Sequence, residues 1–197
     1  MFRRVTLRVS DLEASQRFYD TVLPALGIDR DASELALQPA DGDHPATRGL
    51  HIGFAAPSRA EVEEFWRAGT EAGYRDDGEP GPRTEYRYDY YGSFLLDPDG
   101  NSAEGVHHGA VRGTGAIDHL WIRVRDVAAS KRFYAEVAPG AGFRLGDDTP
   151  ERAQFVGGGG SFSLVAGPPS ENVHLTFRGP AGGVRRDPDG NSVEIVS

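Results

Sequence analysis

The sequence predicts an α+β fold of tandem β-α-β-β-β units, the fourth lacking its helix. Three observations predict it. First, the chain repeats itself. Val9-Ser10-Asp11-Leu12-Glu13-Ala14-Ser15-Gln16-Arg17-Phe18-Tyr19 returns as Val124-Arg125-Asp126-Val127-Ala128-Ala129-Ser130-Lys131-Arg132-Phe133-Tyr134, and Asp97-Pro98-Asp99-Gly100-Asn101-Ser102-Ala103-Glu104 returns as Asp187-Pro188-Asp189-Gly190-Asn191-Ser192-Val193-Glu194. Two matches in one order mean a tandem duplication. Second, within each copy, residues alternating with period two give way to apolar residues at helical spacing. Third, His51 to Asp97 spans 46 positions but His174 to Asp187 only 13, so about 33 residues, a helix and a strand, are missing from the second copy.

The elements follow in order. Val5, Leu7 and Val9 share one face of a strand running to Ser10. Asp11 is a helix N-cap, Leu12, Phe18, Tyr19, Val22, Leu23 and Leu26 form the apolar stripe, and Gly27 stands at the stop. Glu34 to Gln38 is a short strand. Leu50 to Ala55 restarts the pattern, with Ser58 and Glu61 as a capping box for a helix from Ala60 to Ala72 ended by Gly73. Val62, Phe65 and Trp66 are its core side. Thr84 to Tyr90 is an ambiguous strand. Tyr91 to Leu96 and Ser102 to His107 are strands around the Asp-Pro-Asp-Gly turn. The first copy therefore reads as two units. In the second copy Ile117 to Val124 is a strand, Asp126 caps a helix to about Val137, and Arg152 to Val156, Ser161 to Ala166 and Asn172 to Arg178 are strands. Gly179 to Gly183 cannot replace a helix, since glycine costs roughly 1 kcal/mol and proline roughly 3 kcal/mol in a helix interior. The glycine run Gly157 to Gly160 joins two strands, so it is a hairpin loop and not a phosphate-binding motif.

Composition narrows the function. The 197 residues carry a net charge of −9, which argues against nucleic acid or an anionic membrane as partner. There is no cysteine, which excludes disulfides and thiolate metal sites and fits a cytoplasmic setting. No apolar run is long enough for a membrane span, and no signal-peptide pattern opens the chain. The expected organisation is a complete domain over 1–108, a linker over 109–115 and a shortened domain over 116–197. The shortened copy leaves Val173, Leu175 and Phe177 without a helix over them. A bare face of that kind needs cover, and a homodimer is one route.

Strand parity selects the candidate site. His119, Trp121 and Arg123 share the face opposite the helix-covered one. His174 and Thr176 do the same on their strand, and so does Glu194. Two imidazoles and a carboxylate suffice for a divalent metal with open positions. Such positions let two neighbouring substrate oxygens chelate. The bland reading of any one strand histidine is a hydrogen-bonded or surface residue. The tyrosines Tyr86, Tyr88, Tyr90 and Tyr91 are either ordinary strand formers or ligand-lining residues. His44, His107 and His108 lie near loops and are given no role.

These signs together resemble the vicinal oxygen chelate superfamily of glyoxalases, bleomycin-resistance proteins and extradiol dioxygenases. They are the first-strand His119, the Asp-x-x-x-Ser-x-x-Phe-Tyr helix starts at Asp11 and Asp126, the later-strand His51 and His174, and Asp-Pro-Asp-Gly-Asn with a glutamate three positions on. The resemblance implies open, cup-shaped mixed sheets around a metal or ligand. Carried over by position, it implies a metal site of His119, His174 and Glu194. A second, weaker site would use His51, Glu104 and Glu34, because Arg4 stands at the first-strand position and arginine donates no lone pair. Arg4 would instead pair with Glu104 or hold an anion. The strand from Ser161 offers only Ser161 and Ser163 as a fourth ligand. Trp121, Arg123, Arg4, Tyr90 and Tyr91 are the expected ligand-lining residues, and no catalytic residue is assigned. The expected function is a metalloenzyme of the glyoxalase or dioxygenase type acting on a small molecule. The alternative is a metal-free protein that sequesters a drug or aromatic compound.

Overall fold

The computed structural model describes residues 2–109, 115–180 and 182–197; the expected linker falls largely on the residues between the first two spans. In chain order the elements are β1 (Phe2–Val9), α1 (Leu12–Val22), β2 (Leu35–Pro39), β3 (His51–Ala55), α2 (Arg59–Glu71), β4 (Arg75–Pro82), β5 (Tyr91–Leu96), β6 (Ser102–His107), β7 (Ile117–Val124), α3 (Val127–Val137), β8 (Phe143–Thr149), β9 (Arg152–Gly157), β10 (Gly160–Ala166), β11 (His174–Arg178), β12 (Gly183–Arg186) and β13 (Ser192–Val196). The two long repeats start their helices in the same way. Asp11 accepts from Ala14 N and Asp126 from Ala129 N, each at 2.9 Å, which satisfies an orphan donor of the first turn. Ser15, Phe18, Tyr19 and Val22 are buried on α1, and Val127, Ser130, Tyr134 and Val137 on α3, one helical stripe each.

The strands form two open sheets. The larger has the order β4-β5-β6-β3-β7-β10-β9-β8, the smaller β12-β13-β11-β1-β2. Both mix the copies. The large sheet joins β3 to β7 antiparallel, so units two and three, both complete, meet along its centre. The small sheet joins β1 to β11 antiparallel, so the first and fourth units meet there. Both of those units are trimmed. Among the described residues the fourth has no helix between β11 and β12, as expected from its missing residues. The first is also shorter than its sequence promised, with only β2 after its helix. Residues 40–50 instead form a connection stitched to the second copy. There Thr47 Oγ1 donates to Asn172 O at 2.9 Å, and Arg48 pairs with Glu171 as an isolated bridge.

The copies stay intact on the helix side. Tyr19 on α1 donates to Asp97 Oδ2 at 3.1 Å, and Tyr134 on α3 donates to Asp187 Oδ2 at 3.2 Å. The first oxygen of each aspartate accepts two backbone N–H groups of its own turn, from Asp99 and Asn101 or from Asp189 and Asn191. The repeated Asp-Pro-Asp-Gly-Asn motif is thus a clamp that ties one unit's helix to the next unit's turn. Val173, Leu175 and Phe177 are buried. Phe177 packs against Phe2, Phe143 and Phe162 at ring distances of 5.5–5.8 Å. The face left by the missing helix is therefore covered within the chain, and the dimer invoked for that purpose is unnecessary. No helix among the described residues is long and apolar enough to cross a membrane.

Candidate metal centre

Parity on the central strands builds the site. Ile52, Phe54, Ala103, Leu120 and Ile122 turn into the core. The residues between them, His51, Gly53, Glu104, His119 and Trp121, therefore face the opposite, concave side. Register then sets the spacing. Gly53 lies between Glu104 on β6 and His119 on β7, and His51 lies opposite Trp121. The His51 and His119 Nε2 atoms are 3.2 Å apart. Glu104 Oε2 is 3.0 Å from the first and 3.1 Å from the second. Among the described residues this is the one group of three or more ligand-type side chains able to share an ion.

The donor set expected from sequence is corrected here. His119 is in the large sheet, whereas His174 and Glu194 are in the small one. The strands pair between copies, so a copy's own histidines cannot meet. His51 and Glu104 do come together, but their third partner is His119 and not Glu34. Glu34 instead accepts from Ala116 N at 3.0 Å, and it precedes β2 of the other sheet. An Arg4–Glu104 pair is excluded for the same reason. By unit alignment Ser163 occupies the place of Glu104 in unit three, and Arg152 donates to its hydroxyl at 3.2 and 3.3 Å. The site therefore offers three protein donors.

Burial and charge explain the protonation of this triad. Burial alone would raise the Glu104 carboxyl, but hydrogen bonds from His119 and His51 bring it down to about 2. Burial opposes charge on His119 too, yet the Asp118 and Glu104 carboxylates outweigh it and lift the imidazole to about 9. His51 goes the other way, lowered chiefly by burial and further by the positive His119 and Arg123. The two imidazoles are thus pushed in opposite directions, His119 toward holding a proton and His51 toward the neutral form that can ligate.

Each donor is held from behind. Tyr90 donates to Glu104 Oε1 at 2.8 Å, leaving Oε2 for the centre. Burial and the Glu104 charge push the Tyr90 phenol far above its usual range, so it remains a donor. His51 Nδ1 lies 3.2 Å from Ser102 Oγ, which donates to Asp77 Oδ2 at 2.9 Å. His119 Nδ1 is 3.5 Å from Asp118 Oδ2, and His108 Nε2 is 2.8 Å from Asp118 Oδ1. Such outer contacts fix ring orientation and donor strength in metal sites. Two glycines make room. A Cβ on Gly53 would stand 2.2 Å from His119 Cε1, and one on Gly92 would stand 2.4 Å from Glu104 Oε1. Edge lengths near 3 Å suit an ion bonded to nitrogen and carboxylate oxygen at about 2.0–2.2 Å. The residues fit a divalent metal.

A cavity of about 310 Å³ opens onto His51 and Glu104, walled by Tyr90, Phe94, Trp121 and Arg123. A smaller one of about 180 Å³ is lined by His119, Asp118, Tyr86, Trp121 and Arg152. Of the expected lining residues, Trp121, Arg123 and Tyr90 are here. Arg4 is at the other sheet, and Tyr91 points to α2, where its hydroxyl donates to Glu63 at 2.9 Å. Sequence reasoning missed Asp118, His108, Ser102 and Asp77. Asp118 immediately precedes a candidate ligand, which is the one signal that could have marked it.

Residues 2–104 match the family model described as "Glyoxalase/Bleomycin resistance protein/Dioxygenase superfamily". The chain belongs to that superfamily. Glyoxalase I from Zea mays is similar over 100% of this chain and 92% of its own, at 16% identity and a TM-score of 0.69. A putative dioxygenase from Bacillus subtilis subsp. subtilis str. 168 is similar over 98% of this chain and 84% of its own, at 12% identity and a TM-score of 0.66. Identities this low speak for the shared fold alone. Among curated proteins none matches the chain.

Proposed function

We propose that the protein is a divalent-metal enzyme that takes a small, planar substrate through two adjacent oxygens. The convergence of His51 Nε2, His119 Nε2 and Glu104 Oε2 within 3.2 Å carries this reading. Two histidines and one carboxylate on one side of an ion leave positions open for substrate, the donor pattern used by non-haem oxygenases. A bound ion supplies Lewis-acid polarisation of the substrate oxygens.

The chain's own residues supply the rest. Trp121, Tyr86 and Phe94 offer aromatic surface for a flat ligand. Arg123 places a positive charge at the cavity wall, suited to a substrate that carries or develops negative charge. Tyr90 keeps its proton on Glu104 and holds that carboxylate in one rotamer.

Metal analysis of tag-free protein after loading with manganese, iron(II) or zinc tests the proposal. About one ion per chain is expected, lost in His51→Ala and Glu104→Ala and kept in His174→Ala. Loss on removing His174, or retention on removing His51, sinks the assignment. If no ion binds while aromatic compounds quench the fluorescence of Trp121, the sequestering reading replaces the enzymatic one. With a metal bound, oxygen consumption on aromatic diols against isomerisation of hydroxy-ketone adducts separates the two reaction types.

A further inference from the structure

The small sheet carries a second concave face that corresponds to the metal centre position by position. In the large sheet Gly53 lies between His119 and Glu104. In the small sheet Thr176 lies between Arg4 and Glu194. His174 stands two residues before Thr176, as His51 stands before Gly53. Two of these exchanges remove metal binding. Arg4 has no lone pair to give. Thr176 carries the Cβ that Gly53 lacks, and in the large cup such an atom would meet the His119 ring at 2.2 Å.

What remains has another chemistry. A cavity of about 330 Å³ is lined by Arg3, Arg4, Gln38, His174, Thr176 and Glu194. Arg3 and Arg4 make no ion pair among the described residues. Arg8 shares the Arg4 face of β1, and its guanidinium donates to the Pro39 carbonyl at 3.3 Å. The one opposing charge, Glu194, is partly engaged, accepting from Thr176 Oγ1 at 3.4 Å. His174 Nε2 is buried without a hydrogen-bond partner, 3.7 Å from the Glu194 carboxylate. Of these guanidinium groups Arg3 and Arg4 line the cavity, and against Glu194 they leave an excess of one positive charge there, in a chain whose net charge is −9.

We propose that this second cup is a site for a small oxyanion of the phosphate type, gripped by Arg4 and Arg3. Guanidinium groups present paired N–H donors that match phosphate oxygens. Gln38 adds a neutral donor. Two adjacent guanidinium forks match the several oxygens of a phosphate better than the two of a monocarboxylate. This site is independent of the metal centre and stands whether or not an ion binds there.

Inorganic phosphate is the probe, titrated calorimetrically at constant ionic strength with chloride as balancing anion. Saturable binding near one per chain is expected, weakened at least tenfold in Arg4→Gln, an order set by the loss of a charge-assisted pair. Arg17→Gln on the exposed face of α1 should bind like the unaltered protein. Circular dichroism and metal content of Arg4→Gln should match the parent, which separates lost binding from lost folding. Methyl phosphate binding as well as free phosphate would place the ester of a metabolite within reach of the same site. Absence of saturation below about 10 mM, or acetate binding as tightly as phosphate, or equal affinity in Arg4→Gln, overturns the proposal.

Discussion

Gly53→Ala is a one-methyl test of the metal centre. Gly53 is buried at the middle of β3 and its backbone is not in the left-handed region, so alanine is compatible with the chain path. In a strand interior the exchange should even gain about 0.5–1 kcal/mol through the unfolded state. The obstacle is the ring. The new Cβ would stand 2.2, 2.4 and 2.9 Å from His119 Cε1, Nδ1 and Nε2. No carbon tolerates such approach, and β6 and β7 flank β3 too closely for it to retreat. His119 must leave its place between Glu104 and Asp118. Overpacking of a buried site typically costs about 1–3 kcal/mol, so net destabilisation should be about 1–2 kcal/mol. Losing an orienting partner already costs a metal site about 10–100-fold in affinity, so losing a donor should cost at least about 100-fold, or about 2.8 kcal/mol. The assay is competition for the ion against a chelator of known affinity, with a thermal melt alongside. Gly42→Ala is the control, because nothing lies within 4 Å of its added methyl. If Gly53→Ala bound the ion as tightly as the parent, His119 would not be a donor and the triad would be wrong.

Four further outcomes follow from the same geometry. Tyr90→Phe removes the donor to the buried Glu104 Oε1; it should weaken the ion about 10–100-fold and lower the unfolding free energy by about 1–3 kcal/mol. In metal-free protein His119 is raised from 6.5 to about 9, so its contribution to stability is complete below pH 6.5 and is lost as pH rises through 9; melts in chelator should fall across that window, and His119→Gln should flatten the slope. Metal affinity should rise over the same range, since the proton must leave before the ring can ligate. Tyr19→Phe and Tyr134→Phe each leave a buried aspartate oxygen with one partner fewer, and each should lower unfolding free energy by about 1–3 kcal/mol in denaturant titrations.

Much of the fold was legible because burial writes itself into sequence. The strands with alternating apolar residues, β1, β3, β6, β7, β10 and β11, are interior to their sheets. The strands that escaped, β4, β8 and β12, each stand at a sheet edge. Their sequences, such as Arg75-Asp76-Asp77-Gly78-Glu79-Pro80-Gly81-Pro82, carry charge, glycine and proline because an edge must discourage further pairing. The tyrosine-rich stretch taken as a candidate strand is instead a run of turns from Arg83 to Tyr90. Trp66, expected in the core, is half-buried with its Nε1 donating to Asp76 at 2.9 Å. The concave face of each ligand was readable from parity. The partner of each ligand was not, because parity is a local property and the pairing of β3 with β7 joins residues 68 positions apart.

A single copy of this repeat standing alone would have to find its missing edge in a second, identical chain. Such a pair would be symmetric, and every change in one cup would be imposed on the other. Fusing the copies in one chain breaks that bond. A substitution at Arg4 now touches one cup and leaves His119 alone; a threonine at position 176 and a glycine at position 53 shape the two cavities separately. The covalent joint thus leaves two concave faces of common descent free to change without consent from each other.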